Sequence, residues 1–171
     1  DTSKVRELLA ECKNKNILVI GDAIIDEYIE GTSYKISPEA PVPVINGNLT
    51  KWRTLGGAAN VAKAIQRLGA NVTLVSLTGR VMEPDVSIDV VAPYRHDLRI
   101  PVKTRVVCLG QHICRIDDEK IAGKMFGAQV KGMLDAIEKA WDKQTKPIDA
   151  IVLADYGKSG ITQEAFDTIL D

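Results

Sequence analysis

The amino-acid sequence predicts an α/β fold in which a mostly parallel sheet is flanked by helices. The segments NILVIGD (16–22) and DAIVLAD (149–155) are apolar at almost every position, which is typical of parallel strands covered on both faces. A helical segment and another apolar strand follow the first of them, and such a unit has a right-handed crossover. A third observation is the insert SYKISPEAPVPV (33–44), whose prolines exclude a helix interior and a central strand.

The first half of the chain predicts two helices and two strands. A surface helix is expected over 3–13, where apolar residues recur at helical spacing. Its apolar stripe consists of Val5, Leu8, Leu9 and Cys12. A second helix is expected from Gly57 to Leu68, closed by Gly69 in the C-cap role. The strand NVTLVSLTG (71–79) follows it.

The second half predicts a hairpin, a helix, a strand and a last helix. IPVKTRVVCL (100–109) and HICRID (112–117) alternate apolar and polar residues around GQ, the pattern of antiparallel strands joined by a tight turn. The helix expected over 126–141 is amphipathic. Its apolar positions are Phe126, Val130, Met133, Leu134, Ile137 and Trp141. Thr162 is expected to cap the last helix, with Phe166, Ile169 and Leu170 facing inward.

Composition is that of one soluble globular domain spanning 1–171. The net charge is -1 and Lys and Arg are spread along the chain, so no basic face predicts a nucleic-acid partner. No apolar run reaches the length of a membrane span, and the start lacks the plan of a signal peptide. We therefore expect a cytoplasmic protein without a membrane partner, and its three cysteines fit reduced thiols.

The segment CLGQHIC raises the question of a metal site. Cys108, His112 and Cys114 offer three soft ligands, whereas closed zinc sites take four at more regular spacing. We predict no metal here, and we expect both of these cysteines to be buried and inert.

The segment GDAIID (21–26), at the end of the first strand, contains two aspartates. We expect Asp22 and Asp26 at the carboxyl edge of the parallel sheet, where open α/β folds bind ligands. A carboxylate accepts two hydroxyl hydrogen bonds, which suits a sugar. The alternative is that Asp22 caps a turn and Asp26 is simply solvated, and position alone does not separate the two.

Two glycine-containing segments can be interpreted either as ligand-binding sites or as ordinary structural elements. In LGGAAN, Gly56 and Gly57 let backbone amides approach a bound group, but a close-packed helix start is the commoner meaning, and no nucleotide fingerprint is present. DYGKSG (155–160) is not a phosphate loop, because Val152 stands where such a loop needs glycine. Lys158 is able to meet a phosphate as a point charge, although a solvated loop lysine is the default.

Taken together, the segments at 17–44 and 55–79 resemble the ribokinase (PfkB) family of sugar kinases, and within it the heptose 7-phosphate kinases of ADP-heptose synthesis. SPEAPVP before GGAANVA carries most of the resemblance, and KTR (103–105), RID (115–117) and DYGKSG add to it. The resemblance implies that the insert, about 28–53, is a small β lid. Such a lid covers the sugar and clasps a second subunit, and its prolines discourage uncontrolled edge pairing.

The resemblance also implies a set of substrate-binding residues. The set is Asp26, Gly56, Gly57, Asn60, Arg105, Asp155 and Lys158. In it Asp26 holds sugar hydroxyls, the glycines give backbone approach and Asn60 adds a side-chain contact. The other three lie near the substrate, and Asp22 is structural or supports the site from behind.

The implied activity is transfer of the ATP γ-phosphoryl group, with Mg²⁺, to a hydroxyl of a phosphorylated sugar, with heptose 7-phosphate as the expected acceptor. The family's catalytic GAGD motif does not occur in the sequence. We therefore expect no catalytic residue in this chain, ATP and Mg²⁺ sites largely outside it, a missing C-terminal part of the fold and no turnover by the chain alone. LTGRVMEPDVSIDVV (77–91) also leaves little room for the family's next helix. The rival hypothesis is a non-catalytic module for sugar-phosphate binding or dimerisation.

Overall fold

The computed structural model describes residues 2–76, 88–92, 100–119, 128–142 and 146–158, with positions 161, 163, 166 and 167. The described helices are α1 (Thr2–Cys12), α2 (Gly57–Arg67) and α3 (Ala128–Asp142). The described strands are β1 (Asn16–Gly21), β2 (Ala23–Thr32), β3 (Asn46–Gly56), β4 (Asn71–Ser76), β5 (Asp89–Val91), β6 (Val102–Cys108), β7 (Gln111–Asp118) and β8 (Ala150–Ala154). They form two four-stranded sheets.

The first sheet, here called the core sheet, is parallel and has the order β5-β4-β1-β8. Its central strands β1 and β4 are covered on both faces, as their apolar sequences predict. β8 is only partly buried, with Ile151 37% exposed, so the expectation that it is covered on both faces is wrong, because it lies at the end of the described strand order. Val19 of β1 packs in the cluster built with α2, whereas Leu18 and Ile20 pack in the cluster built with α3. The predicted α/β fold with helices flanking a parallel sheet is therefore confirmed.

The second sheet, here called the lid sheet, has the order β3-β2-β6-β7. β2 pairs antiparallel with β3 and parallel with β6, and β6 and β7 form the predicted antiparallel hairpin. The hairpin turn is Leu109–Gly110, one residue earlier than expected, and both residues have positive φ (49° and 77°), the backbone that a tight two-residue turn needs.

The lid sheet begins one residue after the end of β1. β2 starts at Ala23, directly after Asp22, so Asp26 lies within the lid sheet. The expectation that Asp26 lies at the carboxyl edge of the parallel sheet is therefore wrong. Asp26 lies elsewhere because β2 continues past that edge and pairs with β3 and β6. Asp22 does lie at the end of β1, as expected.

The proline-containing insert is a small excursion between β2 and β3. Ile36 and Pro43 form an isolated bridge, and the Ser37 N–H donates to the Val42 carbonyl at 2.9 Å. Tyr34 is 81% exposed, so this narrow hairpin projects away from the core. The prolines are thus confined to a position outside both sheets, where they remove no sheet hydrogen bond.

The first helix forms as predicted, but its apolar stripe is not buried in the described structure. Val5 and Leu8 are each 54% exposed and Leu9 is 41% exposed. Helical spacing of apolar residues predicts an amphipathic helix, but it does not show which element covers the apolar face. The bounds of the other helices are close to those expected: α2 ends before Gly69, whose φ is +99°, and α3 closely matches 126–141, but Trp141 of its apolar positions is 53% exposed.

Several predictions fall on residues outside the described ranges. These are the end of the strand at 77–79, most of the segment that leaves little room for another helix, Phe126, and Thr162, Ile169 and Leu170 of the last helix. Phe166 is described and is 38% exposed, so the expectation that it faces inward is wrong, because helical spacing alone does not show which element covers a side chain. No helix among the described residues has the length and apolar character required to cross a membrane.

The two cysteines of CLGQHIC differ in their surroundings. Cys108 is buried at the end of β6, as predicted, but Cys114 is exposed on β7. β7 is the outermost strand of the lid sheet, and all of its residues are exposed. The expectation that Cys114 is buried is therefore wrong, because the hairpin pattern does not reveal that one strand lies at an edge.

Candidate functional site

The site is organised around the carboxylate of Asp22, which is fully buried at the end of β1. Its Oδ2 accepts hydrogen bonds from the backbone N–H groups of Tyr156 (3.1 Å) and Lys158 (3.0 Å). Its carbonyl accepts from the N–H of Ala58 at 2.9 Å. Asp22 thereby joins the core strand, the loop after β8 and the first turn of α2. This position fits the structural role that was expected of it.

Gly56 and Gly57 leave room for the two aspartates. A Cβ on Gly56 would overlap the Asp26 carboxylate, and one on Gly57 would overlap the Asp22 carbonyl. Gly57 also has a φ of +54°, a conformation that L side chains rarely adopt. The sequence allowed two interpretations of these glycines, a close-packed helix start and a ligand approach. The two coincide here, because close packing brings the N-terminus of α2 against Asp26.

Asp26 forms an ion pair with Arg105. The Asp26 Oδ1 and Arg105 Nη1 atoms are 2.5 Å apart, and the side chains are 21% and 25% exposed. They are 79 residues apart in sequence and meet because β2 and β6 are parallel neighbours. A partly exposed carboxylate beside a guanidinium is available to accept hydroxyl groups while its own charge remains compensated.

An aromatic pair that the sequence did not single out lies beside this ion pair. The rings of Tyr28 and Trp52 are stacked, with centroids 5.0 Å apart and planes 3° apart. The Arg105 guanidinium carbon lies 5.4 Å from the centre of the Tyr28 ring. The strand register places Tyr28 opposite both Trp52 and Arg105, so the three side chains form one row across the lid sheet.

A second group of charges connects the two sheets. Glu119, just after β7, forms ion pairs with Lys158 Nζ at 2.7 Å and with Lys103 Nζ at 3.4 Å. The three side chains are 14% to 19% exposed. Lys158 is therefore not the solvated loop lysine that served as the default, since its ammonium group is half-buried against a carboxylate.

The hydrogen bond from Lys158 lowers the pKa of Glu119 because it stabilises the charged carboxylate. A carboxyl with a lowered pKa in the folded state stabilises the fold above its unfolded pKa, and this contribution is lost as the pH falls through the folded pKa. At neutral pH the Glu119 pairs are thus fully formed and help to hold the lid sheet against the loop after β8.

The motif RID supplies a further ion pair on the Asp26 face of the lid sheet. Arg115 donates to both carboxylate oxygens of Asp117, at 2.7 Å and 2.9 Å, and this lowers the pKa of Asp117. Arg115 lies opposite Arg105 in the register, and Asp117 lies opposite Lys103. Alternation along KTR and RID was the available signal for this arrangement, since residues two apart share a face of a strand.

The structure brings together some of the predicted substrate-binding residues. Asp26, Gly56, Gly57 and Arg105 form one continuous group. Lys158 joins it through Glu119 and Lys103. Asn60 is exposed on the first turn of α2, and Asp155 is exposed after β8, where its Oδ1 accepts the Gly157 N–H at 2.8 Å. The residues that sequence reasoning missed are Tyr28, Trp52, Lys103, Arg115, Asp117 and Glu119.

The charges on this surface favour an anion over a metal. Four cationic side chains, those of Lys103, Arg105, Arg115 and Lys158, face three carboxylates, those of Asp26, Asp117 and Glu119. In the described part of the chain no three His, Cys, Asp or Glu side chains are grouped as a metal ion requires. The carboxylates here are paired with cations, so these residues do not fit a Mg²⁺ site.

Comparison with known proteins identifies clear relatives. The bifunctional protein HldE of Salmonella dublin is 37% identical over 156 residues, which cover 85% of this chain and 31% of that protein. The HldE protein of Koribacter versatilis is 34% identical and covers 99% of this chain and 36% of its own length. This chain thus spans about a third of the curated relatives. No family model matches it.

Two of the solved structures with the same fold are phosphofructokinases by title. A putative phosphofructokinase from Staphylococcus aureus has a TM-score of 0.57 at 18% identity, over 90% of this chain and 48% of that one. Phosphofructokinase-2 from Escherichia coli, in complex with fructose-6-phosphate, has a TM-score of 0.54 at 15% identity, over 92% and 50%. At such identities the similarity establishes the fold.

Proposed function

From the premise that this chain belongs to the ribokinase-like (PfkB) family of carbohydrate kinases, in a part that it shares with HldE proteins, we propose that it binds the acceptor of a sugar kinase. The acceptor is a phosphorylated sugar, and heptose 7-phosphate is the expected one. The kinase transfers the γ-phosphoryl group of ATP to an acceptor hydroxyl. Because ATP is the donor, we place this activity in the cytoplasm.

One observation carries the proposal: a carboxylate held at a glycine-lined helix start next to an excess of cationic side chains. Asp26 accepts hydrogen bonds from sugar hydroxyls, and the absence of a side chain on Gly56 lets this carboxylate lie against the helix start. The cations beside it favour the phosphate of the acceptor, with Arg105 suited to a planar two-pronged contact and Lys158 to a point-charge contact.

In the proposed reaction, these residues act on the acceptor sugar. They bind the sugar, orient its hydroxyl and compensate the charge of its phosphate. ATP bound with Mg²⁺ supplies the transferred phosphoryl group and charge neutralisation, but the described residues do not fit that site. Because the sequence has no GAGD motif, we propose that the 171-residue chain holds the acceptor without phosphorylating it.

Binding should depend on the sugar's phosphate. We expect heptose 7-phosphate to bind about tenfold or more tightly than unphosphorylated heptose, because a charge-assisted hydrogen bond contributes about 1.5–3 kcal/mol. Isothermal titration calorimetry of both sugars, with inorganic phosphate as a third titrant, measures this difference. Equal affinity for the two sugars would remove the phosphate contact, and no binding of either would remove the acceptor site.

We also propose that the lid sheet pairs two copies of the chain as a homodimer. β3 is an edge strand exposed from Asn46 to Thr54, and Ile113 and Ile116 of β7 are 40% and 58% exposed. Apolar side chains on open sheet edges favour association. Ile116 lies on the face opposite to Asp26 by register, so it tests pairing without touching the acceptor site.

Light scattering should give the mass of a dimer for the intact chain and of a monomer when residues 32–44 are replaced by a short Gly/Ser linker. Ile116→Lys should weaken the dimer about tenfold, because it places a charge in the apolar contact. Calorimetry of heptose 7-phosphate is the control, since the Ile116 variant should keep its affinity. An intact chain that scatters as a monomer contradicts the proposal.

A further inference from the structure

The row of side chains Trp52, Tyr28 and Arg105, here called the stacked row, adds two aromatic residues without an assigned role to the Arg105 of the acceptor site. Its members stand on β3, β2 and β6, at positions directly opposite one another. The aromatic planes differ by only 3°, and the guanidinium group lies over the free face of Tyr28. Both faces of the Tyr28 ring are therefore occupied, which excludes it as a platform for a sugar ring.

What the stacked row does is fix Arg105. Arginine has a long side chain that samples many rotamers when it is free. Here the guanidinium is held from one side by the Tyr28 ring and from another by the Asp26 carboxylate, at 5.4 Å and 2.5 Å. A cation over an aromatic face is attracted by the ring's negative charge distribution, so the two contacts define one position.

The two contacts differ in what a ligand does to them. Hydroxyl groups that bind Asp26 share its two oxygens with Arg105, so they weaken the hold of the carboxylate on the guanidinium without displacing it. The contact with Tyr28 is made with an aromatic ring and does not depend on the carboxylate. An arginine held by Asp26 alone would be loosened at the moment the sugar arrives, whereas the stacked row keeps it in place for the anionic group of the ligand.

We propose that Tyr28 is the positioning residue for Arg105, and that Trp52 both buttresses Tyr28 and senses the occupancy of the site. This inference rests on the proposed function, since it assumes that Arg105 meets the phosphate of the acceptor. It concerns the ring of Tyr28 and not its hydroxyl group. Phenylalanine should therefore replace Tyr28, and an aliphatic residue should not.

The chain offers a direct spectroscopic test, because its two tryptophans are Trp52 and Trp141. Trp141 is 53% exposed on α3, so Trp141→Phe leaves Trp52 as the single reporter at little cost to the fold. In this background, fluorescence titration and calorimetry with heptose 7-phosphate should give the same dissociation constant. Tyr28→Phe should keep that constant within about twofold and keep the emission change.

Tyr28→Leu should raise the dissociation constant about five- to tenfold and abolish the emission change, because leucine has no face for the guanidinium. Arg105→Lys should behave in the same way, since lysine keeps the charge but not the planar group. Circular dichroism reports whether each variant is folded. If Tyr28→Leu does not fold, Trp52→Leu on the exposed edge strand takes its place, with an increase of about two- to threefold expected by calorimetry.

The outcomes separate this inference from the proposed function. Parental affinity in folded Tyr28→Leu, or in Trp52→Leu where that variant replaces it, overturns the positioning role and leaves the acceptor site intact. An equal loss of affinity in Tyr28→Phe and Tyr28→Leu assigns the effect to the hydroxyl group and overturns the role of the ring. Absence of calorimetric binding by the parent chain overturns the acceptor site and this inference together.

Discussion

Asp26→Ala is expected to weaken binding of heptose 7-phosphate by about 10- to 100-fold. The substitution removes the carboxylate that accepts sugar hydroxyls, and each lost buried hydrogen bond of this kind costs about 1–3 kcal/mol. It also releases Arg105 from its 2.5 Å ion pair. Calorimetry measures the loss, and Asn60→Ala, on the first turn of α2, should lower the affinity about tenfold if its amide contacts the sugar.

A matched control for Asp26 is the next residue. Glu27 is a carboxylate of similar exposure that is paired with Arg53 at 2.7 Å, but it lies on the opposite face of the lid sheet. Glu27→Ala should leave the affinity unchanged. Equal effects of the two substitutions would mean that any loss of charge from the lid sheet matters. Unchanged affinity in both Asp26→Ala and Asn60→Ala would remove the sugar-site assignment.

Asp22→Ala is expected to destabilise the fold by about 2–4 kcal/mol, because it leaves the N–H groups of Tyr156 and Lys158 unsatisfied around a fully buried position. For a chain of this length such a loss lowers the melting temperature by about 5–15 °C. Urea unfolding followed by circular dichroism measures it. Asp155→Ala, in the same loop, should cost less than about 1 kcal/mol, because Asp155 is exposed and accepts one hydrogen bond.

A conservative variant distinguishes the causes of that loss. Asp22→Asn keeps a carbonyl oxygen that accepts from the same N–H groups, so it should be more stable than Asp22→Ala. If Asp22→Ala unfolds at the parental urea concentration, Asp22 does not hold the loop and the helix start together.

Local sequence patterns predicted those parts of the fold in which the pattern and the burial coincide. The strands around Val19 and Leu74 are apolar because they are covered on both faces, and the glycine after α2 has the positive φ that closes a helix. The two glycines of the site were also predictable from local sequence. Gly56 and Gly57 are explained by their immediate contacts, which lie within reach of a local argument.

The remainder of the site depends on pairings between distant strands. No local pattern states that β6 lies parallel to β2, yet this pairing alone brings Arg105 to Asp26 and Tyr28. Glu119 gave no signal either, since a glutamate after a strand is usually solvated and its partner Lys158 is 39 residues away. For the same reason the exposed edge position of Cys114 was not predicted.

A single residue connects β1 to β2, so the core sheet and the lid sheet are joined directly at this point. The last residue of β1 is Gly21 and the first residue of β2 is Ala23, so Asp22 alone separates the two sheets at this point. Asp22 is also bonded to the loop that carries Lys158 and to the start of α2. Any change in the angle between the two sheets at this residue would therefore strain its hydrogen bonds with that loop and that helix start.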